Sequence, residues 1–440
     1  MAFLPQIAFI LVLGAASFFI RRRVLRIRDN IRLGKDNNIE DHKNERLKNV
    51  LLIAFGQKKM FKRPIPAALH FFIYAGFLII NLEVLEFIID GIAGTHRIFA
   101  PYLGGVYHAA MNMFEFLAVA VLLACVVFLI RRNVVKVPRL VSTDLKGWPS
   151  MDANLILTIE ITLMFAILFM NASDQILQTR EDHYINTGTL FFSSFLIPAL
   201  EHSNTSTLIF IERSAWWFHI IGILGFSVYV TYSKHLHIFL AFPNTYYARI
   251  DAEQPKGEIN NMPVVTAEVK SMLGLTTEAP ATPAVPGRFG AKDINDLSWN
   301  NLMAAYSCTE CGRCTSECPA NLTGKKLSPR KIMMDTRDRM EAVGNSLQQG
   351  GPGLNDGKFL LGDYITKEEI NACTSCNACV EACPVLINPL DIIIELRRYV
   401  AMEESGSPAQ WNSMFQNIET SFAPWKFSSA DRFNWSKDVV

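Results

Sequence analysis

The sequence predicts an all-α membrane protein in which a five-helix transmembrane bundle precedes a small helical domain. Three features predict it: five long apolar stretches, two cysteine-rich runs within a helical pattern, and the lack of paired strand-like segments. The 440 residues are 50% hydrophobic and 19% charged, which is an average over two unlike parts. Lys and Arg (42) nearly balance Asp and Glu (41), so nothing indicates a nucleic-acid partner.

The N-terminal half contains apolar stretches long enough to cross a bilayer, which takes about 20 helical residues. They lie near 2–20, 66–92, 104–130, 153–171 and 215–240. The first is predicted to be a true span, because Arg21-Arg22-Arg23 follows the apolar run, whereas a signal peptide carries its charge before it. The apolar run Leu190–Leu200 is too short to cross and is expected to be interfacial or re-entrant.

Loop charges predict the orientation of the spans. Segments 21–64 and 131–150 hold fourteen and five Lys/Arg, whereas the two connections on the opposite side hold only Arg97, Arg180 and Arg213. Because basic loops stay in the cytoplasm, we expect the N-terminus outside and the C-terminal domain inside. The predicted location is a bacterial inner membrane.

Composition divides the chain into four parts. These are a five-span domain at 1–245, a Pro/Ala/Thr-rich linker at 246–294, a helical domain at 295–404, and an aromatic-rich arm at 405–440. Apolar periodicity predicts helices in the third part at 328–343, 366–372 and 389–404. The glycine-rich stretch 344–357 is expected to end the first of these helices.

Eight cysteines form two runs of identical spacing. The runs are Cys308-x2-Cys311-x2-Cys314-x3-Cys318-Pro319 and Cys373-x2-Cys376-x2-Cys379-x3-Cys383-Pro384. This spacing is typical of bacterial two-cluster iron–sulfur domains, in which the fourth cysteine of each run ligates the other cluster. We therefore predict one [4Fe–4S] cluster on Cys308, Cys311, Cys314 and Cys383, and another on Cys373, Cys376, Cys379 and Cys318. A zinc ribbon, the alternative, requires two CxxC pairs rather than two tetrads.

Four histidines are placed where they could bind haem. His219 and His237 are 18 residues apart in the predicted fifth span, which is five turns, so they share a face and are separated by about 27 Å. His70 begins the second span on the inner side, and His108 begins the third on the outer side. The pattern predicts an inner haem b on His70 and His237 and an outer one on His108 and His219. The alternative for each is an interfacial polar residue.

Acidic residues also fall within the predicted spans: Glu83, Glu86, Asp90, Glu115 and Glu160. Ionised carboxylates are costly in hydrocarbon, so we expect them to face the bundle interior or a wet cavity. They could supply a proton route for a quinone, or they could bond to neighbouring helices.

Several of these segments resemble a known family. The run from Cys308 to Cys314 (CTECGRC) and the run from Cys373 to Val385 (CTSCNACVEACPV) resemble membrane-bound heterodisulfide-reductase-like iron–sulfur oxidoreductases. The region from Trp216 to Ile238 is similar to the cytochrome part of that family, which is in turn similar to the cytochrome b subunit of respiratory nitrate reductase.

The resemblance implies haem b ligation by His219 and His237, cubane ligation by the eight cysteines, and menaquinone as the membrane partner. The nitrate-reductase cytochrome has two haem histidines on its second span, whereas this sequence has only His70, so one or two haems are expected. Longer family members continue into a domain with adjacent Cys-Cys pairs. This sequence contains no such pair, so we expect a separate cytoplasmic reductase subunit to carry it and the second catalytic site.

The main hypothesis is an electron-transfer subunit of a quinone-linked oxidoreductase. Electrons would pass between menaquinone and a cytoplasmic reductase or dehydrogenase through haem b and two [4Fe–4S] clusters. The alternative is a haem-free membrane anchor with a ferredoxin-like docking module for a soluble redox enzyme. The two hypotheses differ in haem content, and the sequence identifies no catalytic residue.

Overall fold

The architecture is all-α, as predicted. A computed structural model describes residues 3–37, 39, 41–250, 262–275, 288–426 and 428–438. It is 71% helical, and the described residues contain no strands. Five helices among these residues are long and apolar enough to cross a membrane, which indicates a multi-pass membrane protein.

The N-terminal part, within the described ranges, contains nine α-helices. They are α1 (Leu4–Ile31), α2 (Lys43–Asn49), α3 (Pro64–Ala93), α4 (Ala100–Leu103), α5 (Gly105–Asn133), α6 (Trp148–Leu177), α7 (Ile197–Leu200), α8 (Thr205–Val230) and α9 (His237–Tyr246). The candidate spans are α1, α3, α5, α6 and α8. Helix α6 packs against α5 and α8, α3 packs against α5, and α1 lies against α3 and α8. We call the end where α1, α5 and α8 finish the proximal end, and the opposite end the distal end.

The fifth span differs from its prediction. It was expected at 215–240, but α8 ends at Val230, and a 3-10 turn over Lys234–Leu236 precedes α9. The Ser233 side chain accepts a hydrogen bond from the His235 amide, which caps this turn and lets the chain change direction. His219 and His237 are therefore on different helices. Because α8 begins at Thr205, His219 is about 21 Å from the distal start of its helix, near the middle of the span.

The C-terminal part is built from shorter helices. They are α10 (Pro263–Met272), α11 (Trp299–Ser307), α12 (Arg313–Ser316), α13 (Pro319–Leu322), α14 (Pro329–Gln348), α15 (Lys367–Asn371), α16 (Ala378–Ala382), α17 (Pro389–Met402) and α18 (Ala409–Ser421). Helix α14 is central and packs against α11 and α17. Its apolar face, which includes Ile332 and Met340, forms the core with Ile392 and Leu396 of α17.

Short 3-10 and π segments connect these helices. They lie at 50–55, 60–62, 138–140, 143–145, 193–196, 234–236, 294–296, 353–355, 360–364, 429–431 and 434–438. The predicted interfacial run Leu190–Leu200 contains one of them together with α7, and neither is long enough to span a bilayer.

The predicted linker boundary at residue 294 is wrong. Ala291 and Ile294 are fully buried in the C-terminal core, and the Asp293 carboxylate lies 2.7 Å from the guanidinium of Arg339. Arg339 is itself fully buried, so it needs this anion for its charge. The packed domain therefore includes residues 288–294. Within the predicted linker, 251–261 and 276–287 lie outside the described residues.

Helix α14 also continues past the position where the glycine-rich stretch was expected to end it. It runs through Gly344 to Gln348, and Gly344 lies directly against Asn30 at the proximal end of α1. A Cβ at Gly344 would be 2.1 Å from the Asn30 side-chain oxygen. The glycine therefore allows two helices to approach closely and does not terminate one.

Candidate metal and cofactor centres

The two cysteine runs fold into loops of the same backbone conformation. Glu310 and Gly312 have φ values of 57° and 71°, and the matching Ser375 and Asn377 have values of 57° and 61°. Left-handed residues that alternate in this way make a concave array of backbone N–H groups suited to anionic groups such as iron–sulfur clusters. Each loop leads directly into a short helix, α12 or α16.

Cys314 lies among thiols from both runs. Burial raises the pKa of the Cys314 thiol, and the nearby Cys311, Cys308 and Cys383 thiols raise it further. Burial also raises the pKa of Cys383 to about 11, while the amides of Val385 and Ile387 oppose that rise. Three cysteines of the first run are therefore close to the last cysteine of the second.

Cys379 is the centre of the reciprocal group. Burial raises the pKa of its thiol to about 12, and the Cys373, Cys318 and Cys376 thiols contribute to the rise. The Ser375 amide donates to Cys373 Sγ at 3.4 Å, and such N–H···S bonds tune cluster potentials. Cys376 is the exposed cysteine of this group.

The spacing within each group is too wide for one small ion. Among the described residues, no three His, Cys, Asp or Glu side chains are placed to hold a single metal ion. A tetrahedral zinc site needs four ligands within about 2.3 Å of one ion. A cubane separates its cysteine sulfurs further, so the grouping favours clusters over zinc.

The first cysteine loop is docked on the proximal end of the bundle. Arg139 donates to the Cys311 carbonyl at 2.7 Å, and Arg313 donates to the Lys59 carbonyl at 3.2 Å. The approach is close at Gly312, where a Cβ would be 2.9 Å from the Arg139 carbonyl oxygen. The cysteine group around Cys314 is therefore adjacent to the membrane helices.

Glu310 makes the most buried contact between this loop and the bundle. Its carboxylate lies 2.5 Å from Lys234 Nζ and 2.8 Å from Arg337. Burial raises the pKa of Glu310, but Lys234 and Arg337 outweigh this effect and hold the pKa below its ordinary value. Sequence reasoning missed both Lys234 and Glu310, because neither has a distinguishing pattern.

The predicted inner histidine pair is brought together at the proximal end. His70 and His237 have ring centroids 6.5 Å apart, although they belong to α3 and α9. His237 Nδ1 donates to the Lys234 carbonyl at 3.0 Å, and His70 Nδ1 lies 3.1 Å from Gln57 Oε1. Haem-ligating imidazoles are typically oriented through the second nitrogen in this way. Two rings on opposite sides of one metal, each about 2 Å from it, have centroids about 6 Å apart, so these residues fit a haem iron.

The predicted outer pair, His108 and His219, is not brought together. His219 is 1% exposed, and its Nδ1 donates to the Leu163 carbonyl at 3.0 Å. It lines a cavity of about 10 Å³, room for one water, beside Glu83 and Glu115.

His108 lines a different pocket, an open one of about 540 Å³ at the distal end, with Asn112 and Phe195. Its Nδ1 donates to the Thr187 carbonyl at 2.9 Å. The ring also packs on Gly188, where a Cβ would be 2.3 Å from Nδ1. These contacts hold His108 against the loop that follows α6, away from His219.

The acidic residues of the spans bind loop backbone at the distal end. Glu86 accepts from the Tyr107 hydroxyl at 2.7 Å, and Asp90 accepts from the Arg97 amide at 2.8 Å. Glu115 accepts from the Phe192 and Ser193 amides. Bonds to neighbouring segments therefore account for these three carboxylates.

Comparisons with known proteins agree with the cysteine geometry. Residues 307–387 match the family model described as a 4Fe-4S dicluster domain. The chain carries a 4Fe–4S dicluster domain and is related to an iron–sulfur component of heterodisulfide reductase. The dicluster domain includes all eight cysteines of the two groups. No solved structure matches the chain.

Three curated relatives indicate its wider similarity. The probable iron-sulfur-binding oxidoreductase FadF of Bacillus subtilis is 28% identical over 93% of this chain and 57% of its own length. The EtfAB:quinone oxidoreductase of Syntrophomonas wolfei is 25% identical over 90% of this chain and 55% of its own. The probable membrane-anchored ferredoxin of Chromohalobacter salexigens is 29% identical over 34% of this chain and 24% of its own. The dicluster chain thus spans slightly more than half the length of the first two.

Proposed function

We propose that the chain is the membrane-bound electron-transfer subunit of a quinone-linked iron–sulfur oxidoreductase. Electrons pass between menaquinone in the membrane and a cytoplasmic reductase or dehydrogenase partner. One observation carries the proposal: the first cysteine loop is docked at the end of the bundle where His70 and His237 meet. A quinone appears in the name of one relative that aligns over 90% of the chain, which supports a quinone as the membrane partner.

Three cofactors are assigned to the described residues. The first [4Fe–4S] cluster is assigned to Cys308, Cys311, Cys314 and Cys383, and the second to Cys373, Cys376, Cys379 and Cys318. A haem b is assigned to His70 and His237. Each group supplies single-electron transfer when bound.

The order of these sites gives the direction of the path through the molecule. The first cysteine group adjoins the bundle, whereas the second contains the exposed Cys376. The second cluster is therefore the exit toward the partner, which we expect to be a subunit with Cys-Cys pairs. Basic loops at the proximal end support a cytoplasmic position for the dicluster domain.

A second haem at His219 remains a prediction. The ring is buried and its Nδ1 is held by a carbonyl, as a ligand requires, but no other histidine ring contacts it within the described residues. His108 is assigned to the loop contact described above.

Haem content tests the proposal. Full-length protein purified from membranes is expected to have a reduced-minus-oxidised α-band of haem b and EPR signals from two [4Fe–4S] clusters. The substitution His237→Gln should remove the α-band and retain the clusters, while His202→Gln, at a histidine whose side chain is 89% exposed, should change neither. Protein with full iron–sulfur content and no haem would contradict the proposal and favour the haem-free anchor.

A further inference from the structure

Lys234 touches both the candidate haem site and the first cysteine loop. Its carbonyl oxygen accepts the hydrogen bond from His237 Nδ1 at 3.0 Å. Its ammonium donates to Glu310 Oε2 at 2.5 Å and to the Pro149 carbonyl at 2.6 Å. The side chain is only 9% exposed, so this lysine is enclosed between the bundle and the dicluster domain.

We propose that Lys234 is a positioning residue that couples the haem site at His237 to the first iron–sulfur cluster. This inference rests on the function proposed above. Through its backbone, Lys234 fixes the orientation of the His237 imidazole, and through its charge it holds the cysteine loop at a fixed separation. The step it serves moves one electron between the haem iron and the cluster, and no bond or proton changes.

The contact reaches the cluster site through Glu310. This residue lies between Cys308 and Cys311, and its left-handed backbone places its amide as a hydrogen-bond donor to the Cys308 sulfur. Arg337 holds the other carboxylate oxygen at 2.8 Å, so Glu310 cannot follow Lys234 elsewhere. The path from imidazole to sulfur is therefore continuous: ring, carbonyl, lysine side chain, carboxylate and cysteine loop.

The charges around Lys234 are arranged to keep it in place. Glu310 lies on the loop side, and Asp152 lies 3.8 Å away on the bundle side, where it also accepts from the Tyr229 hydroxyl. A buried ammonium requires paired anions, because the loss of its partner leaves an uncompensated charge. Removing the ammonium would leave Asp152 and Glu310 close together without the cation between them. We therefore expect the loop to separate from the bundle and the potential of the first cluster to fall.

The test compares three full-length variants that contain the cofactors. Lys234→Met keeps the side-chain length and removes the charge, and Lys234→Arg keeps the charge. Lys62→Met is the matched control, since Lys62 pairs with Glu381 across the same junction but is 58% exposed. Each protein is mixed with menadiol, the soluble quinol that supplies the electrons. Haem reduction is followed optically, and cluster reduction by freeze-quench EPR, with redox titration of both.

In Lys234→Met we expect haem reduction at the wild-type rate, a first-cluster signal that rises at least tenfold more slowly, and a lowered cluster potential. Lys234→Arg should recover most of the rate, and Lys62→Met should match the wild type. An unchanged cluster rate and potential in Lys234→Met would overturn the inference.

A second variant applies if Lys234→Met fails to assemble. Glu310→Gln removes the same ion pair without altering the haem segment, and a wild-type cluster rate in that variant would overturn the inference equally. Wild-type protein without haem would instead overturn the proposed function.

Discussion

At the scale of single residues, Gly312 and Asn377 occupy the same place in the two cysteine loops. Both have left-handed backbone, which glycine and asparagine adopt most readily. Only Gly312 also lies against the bundle, where a Cβ would be 2.5 Å from Arg330 Nη1 and 2.9 Å from the Arg139 carbonyl oxygen. The choice of glycine in the first loop is therefore a consequence of docking as well as of backbone conformation.

The substitution Gly312→Ala should reduce occupancy of the first cluster. Alanine in the left-handed region costs about 1–2 kcal/mol, and the added methyl group would also push the loop from Arg330. We expect lower iron content and a lower melting temperature in detergent. The control Asn377→Gly keeps the required backbone freedom and should retain its iron. A Gly312→Ala protein with full iron and an unchanged melting temperature would contradict this explanation.

At the scale of helices, α1 reaches beyond the membrane to contact α11 and α14. Asn30 near its end donates to the Tyr306 hydroxyl at 2.8 Å, and that hydroxyl donates to Glu341 at 2.6 Å. Gly344 makes room for this arrangement. A membrane helix thus contributes a polar side chain to the dicluster domain.

Replacement of Gly344 by alanine should destabilise the protein, although alanine is the better helix former by about 1 kcal/mol. The new methyl group would displace Asn30 and break its bond to Tyr306, a loss of about 1 kcal/mol or more. In an Asn30→Ala background, Gly344→Ala should instead be neutral or stabilising, because the obstruction has been removed. Melting temperatures of the two single variants and the double variant measure this coupling. Additive effects would contradict it.

At the scale of the whole molecule, ion pairs fasten the dicluster domain to the proximal end of the bundle. Arg23 and Glu341 lie 2.6 Å apart, as do Arg330 and Asp144. Positive and negative partners come from both sides, so the near-zero net charge conceals complementary surfaces. The basic loops used to predict orientation therefore also form the docking surface.

Acid should release this docking. Burial raises the pKa values of Asp144 and Glu341, but their arginine partners outweigh it and leave both pKa values below the ordinary ones. Carboxylates with lowered pKa values stabilise the folded form above their unfolded pKa values of about 4, and that contribution is lost as pH falls through the lower folded values. Hydrogen exchange at 143–145 and at the end of α1 should be constant from pH 8 to 6 and should rise below about pH 4. A rise already between pH 8 and 6 would contradict this assignment.

The sequence predicted those features that depend on local patterns. Five spans follow from apolar length, and the grouping of Cys383 with the first cysteine run follows from spacing alone. The pairing of His70 with His237 was also predicted, but by an argument that placed His237 on the same helix as His219. The chain turns at Ser233, a break that a continuous apolar pattern does not reveal.

The rest depends on tertiary contacts. Gly344 looks like a helix breaker until Asn30 is placed against it. Lys234, Glu310 and Gln57 have no motif, because their roles come from segments distant in sequence. Residues 288–294 look like linker until the buried Arg339 requires the carboxylate of Asp293.

The Arg23–Glu341 contact also constrains how the protein assembles. Its two partners are 318 residues apart, so the proximal end of α1 is made early in synthesis and acquires its partner only near the end. Such long-range contacts form late, after the cost of closing a long loop. We therefore expect the bundle to insert before the dicluster domain docks, with cluster insertion as the step that allows the chain to close on itself.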